Sequence, residues 1–386
     1  MPETAIVAAK IEADGRIVEF GFGNGQSARF HSIWLRDNAQ DETTRDPGNG
    51  QRLIRIEDVP GDTVVTEAAV TGDGRVNLRF SPDGHQTTYD GDWLVTNRYD
   101  IEGETAPGHV RASASLWGGG ASNELKHHDF TTVCSNSAAR LDYLDDLVRL
   151  GAAVIAGAPS EDGTVLTIAE LSGPVRETNY GRLFDVRAEP NPINLAYSGL
   201  GLQAHTDNPY RDPAPTVQIL HCLENTVEGG DTTLVDGFAA ARHLHDTDND
   251  SFDLLSRYSA RFCFDGDGRT DLKARRPLIE LSPDGELLSV RFNNRSAAPL
   301  RDVPFALVED WYRAWRAFAD CIAKPAFQTS FSLEPGMAFV VDNRRVMHAR
   351  SAFSSAGSRW LQGCYADMDA VDSEWRILGR NLSRQR

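Results

Sequence analysis

The sequence predicts a mainly β protein with covering helices, a β-barrel or jelly roll preceded by a small β-rich module. Three observations carry this expectation. Short apolar runs separated by Gly, Asp, Asn and Pro recur along most of the chain, and those residues end strands because they favour tight turns. Clear 3/4 spacing of apolar residues, the mark of a helix lying on a core, stands out in two segments. No GxGxxG follows a strand, so a doubly wound nucleotide-binding sheet is not supported. At 386 residues the chain has room for two domains, or for one large domain with an added module.

From Ala5 to about Asn97 the runs IVEFGF, ARFHSIWLRD, DTVVTEAAV, VNLRFS and WLVTNRY read as strands, with ADGR, PGNG and PDGH as turns between them. Residues 1–100 are therefore expected to form the small module. The Gly-rich stretch at 101–124 reads as a linker, without internal repeats on either side, and 125–386 as the main domain. In the main domain Ser137 to Leu150 reads as a helix, since Leu141, Leu144, Leu147 and Val148 share one face and Gly151 stands just past the end. AAVIAG follows as a strand. TVQILHC, DTTLVDG, SARFCFD, LLSVRFN, MAFVVDN and LQGCYA add further strands. They are interrupted between Phe305 and Ala323, where Leu307, Trp311, Trp315, Phe318 and Ile322 repeat at helical spacing.

Lys+Arg 39 against Asp+Glu 56 gives a formal charge of −17. Such a surface has no electrostatic footprint for nucleic acid or an anionic membrane, so neither is expected as a partner. No apolar run approaches the ~20 residues that span a bilayer. The opening residues carry acids and lack an apolar h-region, so a cytoplasmic location is expected. The five cysteines are scattered without a CxxC pair, which suggests neither a disulfide framework nor a thiolate zinc site.

The chemistry concentrates in Ala204-His205-Thr206-Asp207 and, far along the chain, in Asn343-Arg344-Arg345-Val346-Met347-His348. Extended backbone sends every second side chain to the same side, so His205 and Asp207 can face together. A distant histidine would complete a two-His, one-carboxylate face, which suits iron(II) and leaves positions open for a co-substrate and O2. A lone H-x-D is more often a surface turn. Two further residues tilt the balance: Arg359 follows His348 by 11 positions, and Thr232 follows His205 by 27.

With these residues in place, the chain resembles the iron(II)/2-oxoglutarate dioxygenases of the taurine dioxygenase type, and more closely their γ-butyrobetaine hydroxylase branch. Ile33-Trp34-Leu35-Arg36-Asp37-Asn38, His221-Cys222-Leu223, Val235-Asp236-Gly237-Phe238, Asp342-Asn343-Arg344-Arg345 and Gln362-Gly363-Cys364-Tyr365 occur in that branch's order. The resemblance implies a double-stranded β-helix (jelly roll) catalytic domain, Fe(II) on His205, Asp207 and His348, and 2-oxoglutarate and O2 as co-substrates. It implies that Arg359 takes the distal carboxylate of 2-oxoglutarate as a bidentate fork, with Thr232 adding a hydroxyl. It also implies a homodimer. Some members bind structural zinc through cysteines after the WLRDN motif. Here Ala39 to Arg45 holds no cysteine and His31 and His85 have no thiolate partners, so no structural zinc is expected.

The branch holds a trimethylammonium group in an aromatic cage, because a quaternary cation is recognised by aromatic faces rather than by hydrogen bonds. Tyr180, Phe184, Tyr197 and Tyr365 match the cage positions, and Asn194 and Asn294 match the asparagines that bind the substrate's anion. Asn208 and Arg295 depart from the branch, adding an amide and a guanidinium where apolar residues are usual. Such changes suit an anion with more oxygens than a carboxylate, and the chain therefore looks most like a dioxygenase acting on 2-(trimethylamino)ethylphosphonate. The expected reaction is hydroxylation at C1 to the 1-hydroxy product, with succinate and CO2. The alternatives are γ-butyrobetaine hydroxylation to L-carnitine and, in another class, a catalytically silent betaine-binding protein.

Overall fold

Alternation decides the first sheet: in IVEFGF every second residue, Val18, Phe20 and Phe22, is buried while its neighbours are only partly covered. The structure is a computed structural model that describes residues 2–100, 106–119, 125–187, 200–265, 268–354 and 356–384. These fall into two compact units, Met1–Glu104 and Thr105–Arg386.

In the first unit β1 (Ile6–Glu12), β2 (Ile17–Phe22) and β3 (Ser27–His31) form one antiparallel sheet followed by α1 (Ser32–Asp37). A second sheet of β4 (Val64–Val70), β5 (Val76–Ser81) and β6 (Gln86–Tyr89) is followed in turn by α2 (Gly91–Thr96). Phe20, Phe30, Leu35, Phe80, Tyr89 and Leu94 belong to their common core. SIWLRD and WLVT are thus helices, not the strands expected, because an apolar run this short fits either period and the tertiary contacts of Leu35 and Leu94 decide. The expectation of no internal repeat is also corrected. Three strands and a short helix occur twice, each helix reading Trp-Leu-x-x-Asn, and Asn38 and Asn97 each donate from their amide to the tryptophan carbonyl four residues back.

The second unit contains, in chain order, β7 (His127–Asp129), α3 (Phe130–Ser135), α4 (Ser137–Leu150), β8 (Ala152–Ala156), α5 (Thr164–Glu170), β9 (Phe184–Val186), β10 (Leu202–His205), β11 (Val217–Asn225) and β12 (Thr232–Asp236). It continues with α6 (Gly237–Thr247), α7 (Asn249–Arg257), β13 (Ser259–Phe264), β14 (Leu272–Pro277), β15 (Ile279–Leu281), β16 (Leu287–Val290), β17 (Ala297–Ala298), α8 (Val308–Ala323), β18 (Gln328–Phe331), β19 (Ala338–Asp342), β20 (Val346–Arg350), β21 (Arg359–Ala366) and α9 (Met368–Ser383). The α4 helix begins at Asn136, whose side chain accepts from two first-turn amides, a cap worth about 1 kcal/mol. It stops at Gly151, whose φ of 72° only glycine adopts without strain.

Two sheets, β10-β20-β12-β18 and β7-β8-β19-β11-β21-β9, form the jelly roll. Their facing side chains, among them Leu220, Leu234, Phe339, Val346 and Leu361, make one apolar core. Helices α4, α5 and α9 cover the outer face of the larger sheet, and α6, α7 and α8 pack beside the smaller one. Period-two alternation is visible on β21: Leu361 and Tyr365 look into the roll, whereas Cys364 and Ala366 look toward the helices. Residues 106–119, inside the stretch read as a linker, are bound to this unit, with Trp117 buried and its indole donating to the Leu150 carbonyl at 2.7 Å. Among the described residues no helix is long and apolar enough to cross a membrane.

Candidate active site

β10 and β20 run antiparallel with His205 opposite His348, which brings the two rings to 4.2 Å between centroids. His205 Nδ1 lies 2.7 Å from the Gln203 carbonyl, which can only accept, so the proton sits on Nδ1 and Nε2 keeps its lone pair. Asp207 stands in the turn just beyond β10. Its backbone is clamped by Asn343, which accepts from the Asp207 N–H at 2.7 Å and donates to the Asp207 carbonyl at 2.9 Å. Thr206 bonds through its N–H to the Phe292 carbonyl at 2.8 Å, so the turn is held from a second direction. One ligand atom from each of His205, Asp207 and His348 lies within 4.8 Å of the others.

Burial, reinforced by His205, pushes the His348 imidazole down to about 3, which leaves it neutral and able to donate a lone pair. For Asp207 burial pushes upward, but its neighbours His205, His348 and Arg295 outweigh it and hold the carboxylate well below its usual range. Two imidazoles and one buried carboxylate are the donor set that suits iron(II). The carboxylate is oriented: Oδ1 lies 3.4 Å from His205 Nε2, while Oδ2 accepts from Gln218 Nε2 at 2.6 Å and from the Tyr365 hydroxyl at 2.9 Å.

These groups open on a cavity of about 390 Å³. Thr232, Arg350 and Arg359 lie in one part of its wall, Arg350 two residues beyond His348 on the same strand and directly opposite Thr232. Arg359 is buried, its guanidinium donates to the Gly230 carbonyl at 3.4 Å, and its Nε has no hydrogen-bond partner among the described residues. A buried guanidinium so thinly paired is poised for an incoming anion. Rings line another part, where Tyr180 and Phe184 lie 5.7 Å apart, Phe184 and Tyr365 stack at 5.3 Å, and the Tyr180 and Tyr210 hydroxyls meet at 2.9 Å.

Two sequence families account for most of the chain. Residues 114–365 match taurine catabolism dioxygenase TauD, TfdA family, and residues 9–95 match the γ-butyrobetaine hydroxylase-like N-terminal family. γ-Butyrobetaine dioxygenase of Pseudomonas sp. (strain AK-1) is 33% identical over 94% of this chain and 94% of its own. The chain belongs to the TauD/TfdA dioxygenase family. The mitochondrial trimethyllysine dioxygenase of Rattus norvegicus is 30% identical over 91% of this chain and 83% of its own. Among solved structures, asparagine oxygenase in complex with Fe(II), 3-hydroxyasparagine and succinate aligns over 61% of this chain and 80% of its own, at TM-score 0.49 and 17% identity.

In this TauD/TfdA-family enzyme the structure brings His205, Asp207, His348, Thr232, Arg359, Tyr180, Phe184, Tyr365, Asn208 and Arg295 around one cavity. Asn208 is 3% exposed at a φ of 52°, and neither its amide oxygen nor its nitrogen has a partner among the described residues. Asn194 and Tyr197 lie outside the described residues. Asn294 does not face the cavity and is corrected. The 3-10 turn at Asn294–Ser296 breaks the alternation and leaves its amide exposed, donating to Gln203 Oε1 at 3.1 Å. Asn293 lines the wall instead, but its side chain is spent on capping that turn and on the Thr206 carbonyl. Sequence reasoning missed Gln218, Tyr210, Phe264 and Arg350. Arg350 could have been found from its place two residues after His348 on a strand.

Proposed function

We propose that this enzyme hydroxylates a small molecule carrying a trimethylammonium group at one end and an anion at the other. The observation that carries the reading is the unbroken run of rings, Tyr180, Phe184 and Tyr365, that reaches the candidate metal carboxylate through the Tyr365 hydroxyl. A cation held on those faces is delivered next to the metal position. The relatives named for γ-butyrobetaine and trimethyllysine favour a quaternary ammonium in the same way. 2-(Trimethylamino)ethylphosphonate is the preferred substrate, with hydroxylation at C1. Its phosphonate would be met by the unsatisfied Asn208 amide and by Arg295 at the cavity wall.

His205, Asp207 and His348 would hold iron(II), and Arg359 with Thr232 the distal carboxylate of 2-oxoglutarate. Bound there, iron(II) supplies the redox chemistry that couples O2 and 2-oxoglutarate to C–H hydroxylation, with succinate and CO2 as co-products. The chain's own groups position rather than transfer protons. The rings fix the ammonium, the polar wall fixes the anion, and the C–H bond between them is the one presented. A silent binding protein would have no use for the convergent buried donor set.

Purified enzyme with iron(II), 2-oxoglutarate and each candidate substrate, followed by succinate release and product mass, tests the reading. Faster turnover of the phosphonate than of γ-butyrobetaine is expected. Equal turnover would move the assignment to γ-butyrobetaine hydroxylation, and no turnover of any quaternary amine would overturn the cage. Arg295→Ala is expected to raise the KM for the phosphonate about tenfold or more while leaving substrate-free 2-oxoglutarate decay unchanged.

A further inference from the structure

Asp207 Oδ2 carries two donors that come from one place in the larger sheet. Gln218 of β11 and Tyr365 of β21 are directly opposite each other in the antiparallel ladder, and both side chains project inward. Their amide and phenol converge on the same oxygen at 2.6 and 2.9 Å. Gln218 Oε1 is buried without a partner among the described residues, so the amide's position answers to Asp207 and to nothing on its other end. Tyr365 stands 3% exposed, with its ring stacked on Phe184. A carboxylate oxygen has two lone-pair directions, and here both are taken. What remains is Oδ1, the oxygen beside His205 Nε2.

We infer that Gln218 and Tyr365 form a cross-strand clamp that holds Asp207 as a one-oxygen metal ligand, and that Tyr365 is therefore a positioning residue as well as a wall of the ammonium site. Outer partners of this kind orient a ligand before the metal arrives, and their loss typically costs 10–100-fold in metal affinity or activity. The inference rests on the metal reading given above.

Mn(II) titration of the metal-free protein without 2-oxoglutarate or substrate is the direct test, beside circular dichroism to confirm folding. Tyr365→Phe keeps the ring and removes only the hydroxyl, and Gln218→Met keeps the length and removes the donor. Each is expected to weaken Mn(II) binding about tenfold. In turnover Tyr365→Phe is expected to keep the KM for the quaternary ammonium. Unchanged Mn(II) affinity in Tyr365→Phe overturns the clamp, even if Gln218→Met fails to fold. Were the wild-type protein itself to bind no Mn(II), the metal reading would fail first, and that outcome is distinct from equal binding by wild type and variant.

Discussion

At the scale of single residues the site depends on side chains chosen for what they leave room for. Gly363 is paired with Phe184 across β21 and β9, and a Cβ at this position would overlap the Phe184 ring. Gly363→Ala should therefore push that ring out of the proposed ammonium wall and lower kcat/KM for the proposed quaternary ammonium substrate at least about tenfold. The KM for 2-oxoglutarate, whose expected contacts lie at Arg359 and Thr232, should stay unchanged. Steady-state kinetics with each substrate varied in turn checks both. That His205, Asp207, His348, Thr232 and Arg359 come together was legible in the sequence, because their residue types and order are distinctive, and they do line one cavity. Gln218 was not, because nothing in TVQILHC says that its partner across the ladder is Tyr365. Register is fixed by the packed sheet, and a short string cannot carry it. Asn294 was assigned from its match to the branch's asparagines alone, and a sequence match does not show that a 3-10 turn leaves this side chain exposed beside Gln203.

Among elements, the junction of β12 and α6 holds the most deeply buried charge pair of the described residues. Asp236 is fully buried, caps α6 through the Phe238 and Ala239 amides, and meets Arg345 through both oxygens at 2.8 and 3.1 Å. Removing one partner leaves a buried charge unpaired, so Asp236→Ala should cost about 3–5 kcal/mol in urea denaturation. The first unit offers a milder, pH-dependent case. Burial pushes the Asp41 carboxyl up, yet donors from Thr43 and His85 outweigh it and hold it well below the usual carboxylate range. A carboxylate depressed in the folded state contributes its stability above the unfolded pKa of ~3.9 and loses it as pH falls through the folded value. This unit should thus weaken below about pH 4, and Asp41→Asn should flatten that dependence while costing about 1 kcal/mol at neutral pH. Thermal melts across pH 3–7 measure both. Strands such as β2, β5, β11, β19 and β21 were legible as short apolar runs, whereas β1, β6, β14 and β20 were not picked out. α1 and α2 were not, since six residues cannot show a helical period against a strand's.

For the whole molecule, two compact units with separate apolar cores suggest two unfolding events. Calorimetry should resolve them, and Mn(II) at 100 times its Kd should stabilise only the unit holding His205, Asp207 and His348, by about 2.7 kcal/mol. A single transition moved as a whole by metal would show that the units unfold as one. Charge has to be read at this scale too. The chain carries −17 formal charges, while Arg295, Arg350 and Arg359 line one cavity beside Asp207 and Asp265, so the net charge of the chain does not describe the pocket. The shared Tyr365 also constrains how such an enzyme can change its diet over evolutionary time. If the cavity takes the ammonium as proposed, enlarging it at Tyr365 would disturb the carboxylate beside it, so a lineage drifting toward bulkier substrates has its open route through Phe184 and Phe264, rings that carry no hydroxyl and leave Asp207 alone.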